Sequence, residues 1–369
     1  SILSLERDSN NYYFIIRGEQ ALKTKLSKQE ILERVGTMAQ LAGIRPYVLR
    51  EGRKNGVSAA DLWNGSGLSM TVLSDRASDI YSVTYQGRSL CWLSGVGASG
   101  PWFAHNGPFE WDKNFGGGML ATCGLTTAGL PSADAGETLN LHGDIANLPA
   151  EEVNCRTFWE GDDYWLEYSS RTYQAKPYAE NLCLTRQIRM RMGDNDRVEN
   201  LGFSATPLML IYHMNFGYPL LDEGAKLYLT YQDRFPTSDL ASQTVDQIGR
   251  VTPPDNGYRA RAYNHTVRAD AEGYAYASLL NEELQLGATV KFRADTLDKF
   301  NLWKCLRKRD YVIGLEPCNC RTWGRDKARE HGDLVMLEPM ESKDFYLELQ
   351  VHDGAEELRV AAARYDGCL

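Results

Sequence analysis

The sequence predicts an all-β fold, one large antiparallel sandwich, and three observations carry that expectation. Short runs rich in β-branched and aromatic residues recur at 69–73, 80–85, 164–168, 184–190, 225–231, 274–280, 288–292 and 345–351. Gly, Asn, Asp and Pro punctuate the chain between them, and no helical period separates one run from the next, which fits antiparallel strands and not a βαβ array. No Pro- or Ser-rich linker divides the 369 residues, a length that a single sandwich can absorb.

Taken in order, 12–16 reads as a strand. Ser27 followed by Glu30 forms a capping box that opens a helix through Ile31, Leu32, Val35, Met38, Leu41 and Ala42, stopped by Gly43. Residues 1–44 are therefore expected to be a decoration of strand and short helix, and 45–369 a single β-sandwich domain. Gly193-Asp194-Asn195-Asp196 reads as a hairpin turn, and the basic run 304–309 as a solvated turn. Near the end, the strand-like 311–313 leads into Gly314-Leu315-Glu316-Pro317-Cys318-Asn319-Cys320-Arg321. This places one carboxylate at a strand end with a proline behind it. Partial desolvation there raises a glutamate's pKa and suits it to proton transfer near neutral pH.

A formal net charge of −9 with dispersed Lys and Arg argues against a nucleic-acid surface. No apolar run reaches 18 residues and no basic-then-apolar segment opens the chain, so neither a membrane partner nor a signal peptide is expected. Eight scattered cysteines without a Cys-x-x-Cys spacing fit a reducing cytoplasm. Cys318 and Cys320 read as structural, and no metal is expected. Gly95-Val96-Gly97-Ala98-Ser99-Gly100 matches the dinucleotide formula but leads into Pro101 and Trp102 and not into a helix, so it is not read as a nucleotide site.

Polar residues in glycine-rich or strand-end settings remain as candidates. Arg76 and Asp79 follow the 69–73 strand and can offer fixed donors and an acceptor to adjacent hydroxyls, or form a structural salt bridge. Trp111 and Asn114 precede three glycines, where a backbone can approach a ligand and an indole can stack on a sugar face. A tight bulge explains the glycines equally. His142 with Asp144, and His213 with Asn215, sit beside glycine or aromatic turns. With Glu316 the two imidazoles form a possible acid, base and orienting set.

In order along the chain, Asp75-Arg76 with Asp79-Ile80, Gly116 to Leu125, Leu141-His142-Gly143, Tyr212-His213-Met214-Asn215-Phe216-Gly217-Tyr218-Pro219, and Trp303-Lys304 with Gly314-Leu315-Glu316-Pro317 resemble the galactose mutarotase-like or aldose 1-epimerase superfamily. The resemblance spans roughly residues 70 to 350. It implies a large antiparallel β-supersandwich binding a monosaccharide on its concave face, and an isomerase of carbohydrate metabolism that needs no cofactor. It implies Glu316 as the base at the anomeric hydroxyl and His213 as the acid at the ring oxygen. Arg76, Asp79, Trp111, Asn114, His142, Asp144, Asn215, Trp303 and Asn319 are expected around the sugar. A non-catalytic carbohydrate-binding or regulatory module on the same fold is the first alternative. A sugar-phosphate epimerase using Lys304, Arg307, Arg321 and Arg325 is the second. Oligomeric state, monomer or homodimer, stays open.

Overall fold

The computed structural model describes residues 27–190 and 194–369, without the side chains of 194–197. Its chain is built on antiparallel sheets. An eight-stranded sheet runs, in spatial order, through Lys226–Leu229, Tyr274–Asn281, Leu286–Arg293, Ser342–Asp353, Asp194–Asn200, Asn181–Met190, Asp163–Ala175 and Glu151–Glu160. A seven-stranded sheet takes Tyr231–Pro236, Arg261–Val267, Lys299–Leu306, Tyr311–Cys318, Thr206–Gly217 and Val335–Leu337, with Ala121–Leu125 also paired to Thr206–Gly217. A five-stranded sheet spans Gly43 to Ser89. Each of the eight runs expected between 69 and 351 falls on strand. The 225–231 run is split at Thr230, where the chain leaves the eight-stranded sheet and enters the seven-stranded one.

Side-chain alternation explains how the two large sheets meet. Leu208, Leu210, Tyr212, Met214 and Phe216 point from one strand into the main core, as do Ile313 and Leu315 from its neighbour and Phe300 and Leu302 from the next. Phe300 stacks on Phe292 of the eight-stranded sheet with ring centroids 6.0 Å apart, and Tyr212 meets Phe345 edge-on. The opposite face of the seven-stranded sheet carries Met209, Ile211, Val312, Cys318 and Cys305. A second, smaller apolar layer of Trp92, Trp111, Phe115, Ala128 and Ala328 covers it. Strands buried on both faces read as nearly continuous apolar runs. A polar side chain set in one of them needs a partner or a function.

Several expectations change. The amino-terminal helix is only Lys28–Leu32. Its capping box is present, but Gly36 and the Thr37 cap start a separate short turn at Met38–Gln40, and Leu32 faces solvent. The 12–16 strand lies outside the described residues. Asp194 to Asp196 belong to a strand paired with Asn181–Met190 and not to a turn, and Gly193 lies outside the described residues. Glu316 is not at a strand end, because Tyr311–Cys318 runs on through Pro317. Lys304 is no part of a solvated turn: it lies buried on a strand, and its ammonium donates to the carbonyls of Gln247, Ile248 and Arg250. Among the described residues no helix is long and apolar enough to cross a membrane.

Candidate active site

Register brings the central pair together. Met214 faces Leu315 and Ile211 faces Cys318, which sets His213 across from Glu316 on adjacent strands, with both side chains on the outer face of the seven-stranded sheet. Asn301 is Glu316's partner on the other side, and Asn264 is Asn301's. One row of the ladder therefore reads His213, Glu316, Asn301, Asn264. His213 Nε2 stands 3.2 Å from Glu316 Oε1. The approach is not aligned as a hydrogen bond, and Oε1 has no such partner. Asn301 Nδ2 donates to Glu316 Oε2 at 2.6 Å and leaves its own Oδ1 unpaired. Gly314 makes room for this arrangement: a Cβ there would lie 2.3 Å from Glu316 Oε1.

Aromatic rings enclose His213. Phe115 and Trp303 each lie with ring centroids 5.4 Å from it, Trp111 at 6.4 Å, and the His142 ring at 5.6 Å, nearly perpendicular. His142 reaches this position from a turn in the left-handed region, at φ +58°. The next residue can only be glycine, since a Cβ on Gly143 would come within 2.5 Å of the carbonyl oxygens of Gly124 and Thr127. His142 is partly exposed as a residue, but its Nδ1 is shut off from solvent and unpartnered, as is Nδ1 of His213.

Burial sets the protonation of the site. The Glu316 carboxyl, with no exposed surface, is pushed up to about 8 by desolvation, against a smaller opposing effect of the Asn301 hydrogen bond. Desolvation lowers His213 to about 4, against a smaller opposing effect of the adjacent Asn215 side chain. His142 falls to about 3, first through burial and second through the neighbouring His213. At neutral pH the pair therefore holds one proton, and it rests on Glu316.

The other expected residues divide into two groups. Trp111, His142, Asn215 and Trp303 belong to the cluster, Asn215 through Nδ2 bonds to the carbonyls of Gly118 and His213. Arg76, Asp79, Asn114 and Asn319 spend their polar atoms on the protein. Arg76 donates to the backbone carbonyls of Ala146, Ser99 and Asn114, pinning the turn that carries Trp111. Asp79 accepts from the Thr122 amide and hydroxyl and from Arg186, fixing the strand that flanks His213. Asn114 bonds Gly100 and Asn147 and accepts from Arg53. Asn319 bridges the backbone of Leu208 and Leu210. Asp144 is exposed at the head of the Ile145–Asn147 turn and stands outside the cluster.

Gly116, Gly117 and Gly118 approach protein backbone at Gly97, Trp92 and Tyr81, which is the tight-packing explanation of those glycines. Of the basic residues considered for a phosphate, Lys304 is caged by carbonyls, and Arg325 is paired with Asp134 and Glu137. Asn301 is the residue that sequence reading missed. Its signal was available, because Trp303 was already a candidate and the residue two before it in a strand shares its face. Among the described residues, no group of three or more His, Cys, Asp or Glu side chains is arranged to hold a metal ion.

The fold is shared with solved structures. A Klebsiella pneumoniae protein, named as an aldose 1-epimerase by inference, superposes with a TM-score of 0.83 at 22% identity, covering 89% of this chain and 91% of its own. A galactose mutarotase-like protein from Clostridium acetobutylicum gives 0.60 at 11% identity, covering 85% and 99%. Galactose 1-epimerase from Lactobacillus acidophilus gives 0.55 at 12%, covering 85% and 100%. These likenesses establish the galactose mutarotase-like fold, while curated proteins give no match to the sequence. A family model described as a domain of unknown function, DUF4432, matches residues 54–351, and the chain belongs to that family.

Proposed function

We propose that the protein is a cofactor-independent aldose 1-epimerase that interconverts the anomers of a free sugar. The observation that carries this reading is the His213–Glu316 pair, 3.2 Å apart and buried among unpartnered polar atoms on a sugar-binding type of fold. Ring opening removes a proton from the anomeric oxygen and delivers one to the ring oxygen. The O–H electrons become the carbonyl π bond, and the C1–O5 pair becomes the new O5–H bond. Rotation about C1–C2 exposes the other carbonyl face, and the reverse transfers close the ring as the other anomer.

A pair that holds one proton between a carboxyl and an imidazole can serve both transfers, because each group ends a half-reaction in the form the return stroke requires. Burial favours starting with Glu316 as the proton donor and neutral His213 as the acceptor. In ring opening that puts Glu316 at the ring oxygen and His213 at the anomeric hydroxyl, the reverse of the assignment expected from the resemblance, which has Glu316 as the base at the anomeric hydroxyl and His213 as the acid at the ring oxygen. Asn301 orients the carboxyl, and the Trp111, Phe115, Trp303 and His142 rings keep water from competing. In this reading residues 45–369 act as one catalytic domain, and 1–44 as its decoration.

The experiment is anomer exchange by NMR across a panel of free and phosphorylated aldoses. At least one free sugar should exchange well above its spontaneous rate at micromolar enzyme. Saturable sugar binding with no acceleration of any anomer would overturn the enzymatic reading and leave a binding module.

A further inference from the structure

Read from sequence, Trp111 could be a platform on which a sugar face stacks, but the geometry gives that ring a different use. Phe115 covers it at 4.5 Å between centroids and 31° between planes, and His142 packs on it at 4.8 Å and 58°. Only 7% of the residue is exposed. Its faces are occupied by protein, and the remaining feature is the indole N–H, which is buried and has no hydrogen-bond partner. An unpaired donor sealed from water is unfavourable and calls for a partner. The surroundings nevertheless hold it firmly. The Trp111–Asn114 turn is clamped at its end by Arg76 donating to the Asn114 carbonyl, and by Arg53 donating to the Lys113 carbonyl and the Asn114 side chain.

The other unpartnered atoms around the cluster fall into two chemical kinds. Trp111 Nε1, His142 Nδ1 and His213 Nδ1 are nitrogens, carried by three mutually packed rings. Glu316 Oε1, Asn301 Oδ1 and Asn215 Oδ1 are oxygens, carried by the Tyr311–Cys318, Lys299–Leu306 and Thr206–Gly217 strands. Of the nitrogens, only the indole N–H is a donor whatever the tautomer or pH.

We infer that Trp111 is a substrate-positioning residue, whose N–H donates to one hydroxyl oxygen of the sugar on the imidazole side of the His213–Glu316 pair. This deepens the epimerase reading and rests on it. It makes the protein selective for a sugar that places an oxygen at that point. A stacking platform would instead be indifferent to any single hydroxyl.

The test is Trp111→Phe, which keeps an aromatic ring between Phe115 and His142 but removes the donor, with circular dichroism and thermal melting to confirm an unchanged fold. Anomer exchange and sugar affinity are measured for wild type and variant on the preferred sugar and on its monodeoxy analogues. The expected result is a roughly five- to tenfold loss of kcat/KM and of affinity on the parent sugar, carried mainly in KM, as suits the loss of one neutral hydrogen bond. The loss should vanish on the one analogue that lacks the recognised hydroxyl. Equal losses on every analogue would assign Trp111 a packing role, and values within twofold of wild type throughout would leave it no role; either overturns the inference while leaving the epimerase reading intact. Wild-type protein that binds sugars without exchanging them defeats only the epimerase reading, since the affinity comparison still decides Trp111. Wild-type protein that binds no sugar defeats both.

Discussion

At the residue scale, the chemistry depends on where one proton sits. With Glu316 raised to about 8 and His213 lowered to about 4, the pair carries a single proton between those values. Below the lower value both groups are protonated and no base remains. Above the higher value neither is protonated and no acid remains. Anomer exchange should therefore follow a bell in pH, with limbs near those two values, measured as kcat/KM. The Asn301 hydrogen bond favours the charged carboxylate, so Asn301→Ala should move the alkaline limb upward and lower the rate roughly tenfold. An unmoved alkaline limb would show that Glu316 is not the group titrating there. Glu316 and His213 were legible because each interrupts an otherwise apolar run. Asn114 and Asn319 were legible as polar residues but not as residues held by protein partners, and for Arg76 and Asp79 a structural role stood as the alternative, since sequence does not say where a hydrogen bond ends. Sequence gave no sign either that Trp111 would meet rings on its faces, because Phe115 lies near in the chain and His142 far away.

At the scale of the element, the Tyr311–Cys318 strand is the part on which the site is most directly built. Its alternation puts Ile313 and Leu315 into the main core and Gly314 and Glu316 on the outer face, so a step of one residue in register would exchange the two sets. Gly314 has ordinary backbone angles and is needed for space alone, because a methyl group at that position would meet the carboxylate oxygen. Gly314→Ala should thus leave the sheet formed while displacing Glu316. We expect anomer exchange to fall roughly a hundredfold or more, on the order of losing one acid–base group, with a melting temperature lowered by only a few degrees. Unchanged exchange in that variant would show that the carboxyl position is not critical. The strand was foreseen from 311–313 but ended too early, because Pro317 reads as a terminator. Here the strand continues through it, opposite Phe300.

At the scale of the whole molecule, a buried site charges its protonation against folding stability. Glu316 binds its proton in the folded state up to about pH 8, whereas the unfolded chain releases it near the ordinary value of 4.5. Between those values the native state holds more protons, so this residue lowers stability as pH rises. His213 and His142 act in the opposite sense: with folded values lowered to about 4 and 3 from 6.5, they remove stability as pH falls below about 6.5. Glu316→Gln abolishes only the first effect. Its melting temperature relative to wild type should rise between pH 5 and pH 8, by roughly 2–5 °C. A constant difference across that range would mean that the carboxyl is not held neutral by burial. The two-sheet architecture was readable from strand spacing alone. The second apolar layer over the outer face of the seven-stranded sheet was not, because it is assembled from loops and short helical turns between residues 92 and 334, and no local pattern announces that they cover the same face.

Whether His213 and Glu316 carry the reaction is decided by the rate of anomer exchange, on the sugar that wild type turns over best, by Glu316→Gln and His213→Asn variants that remain folded. Each should fall by about a hundredfold to ten-thousandfold, and the double variant should be little worse than either single one, because the two groups pass one proton as a unit. Full activity in either single variant would contradict this.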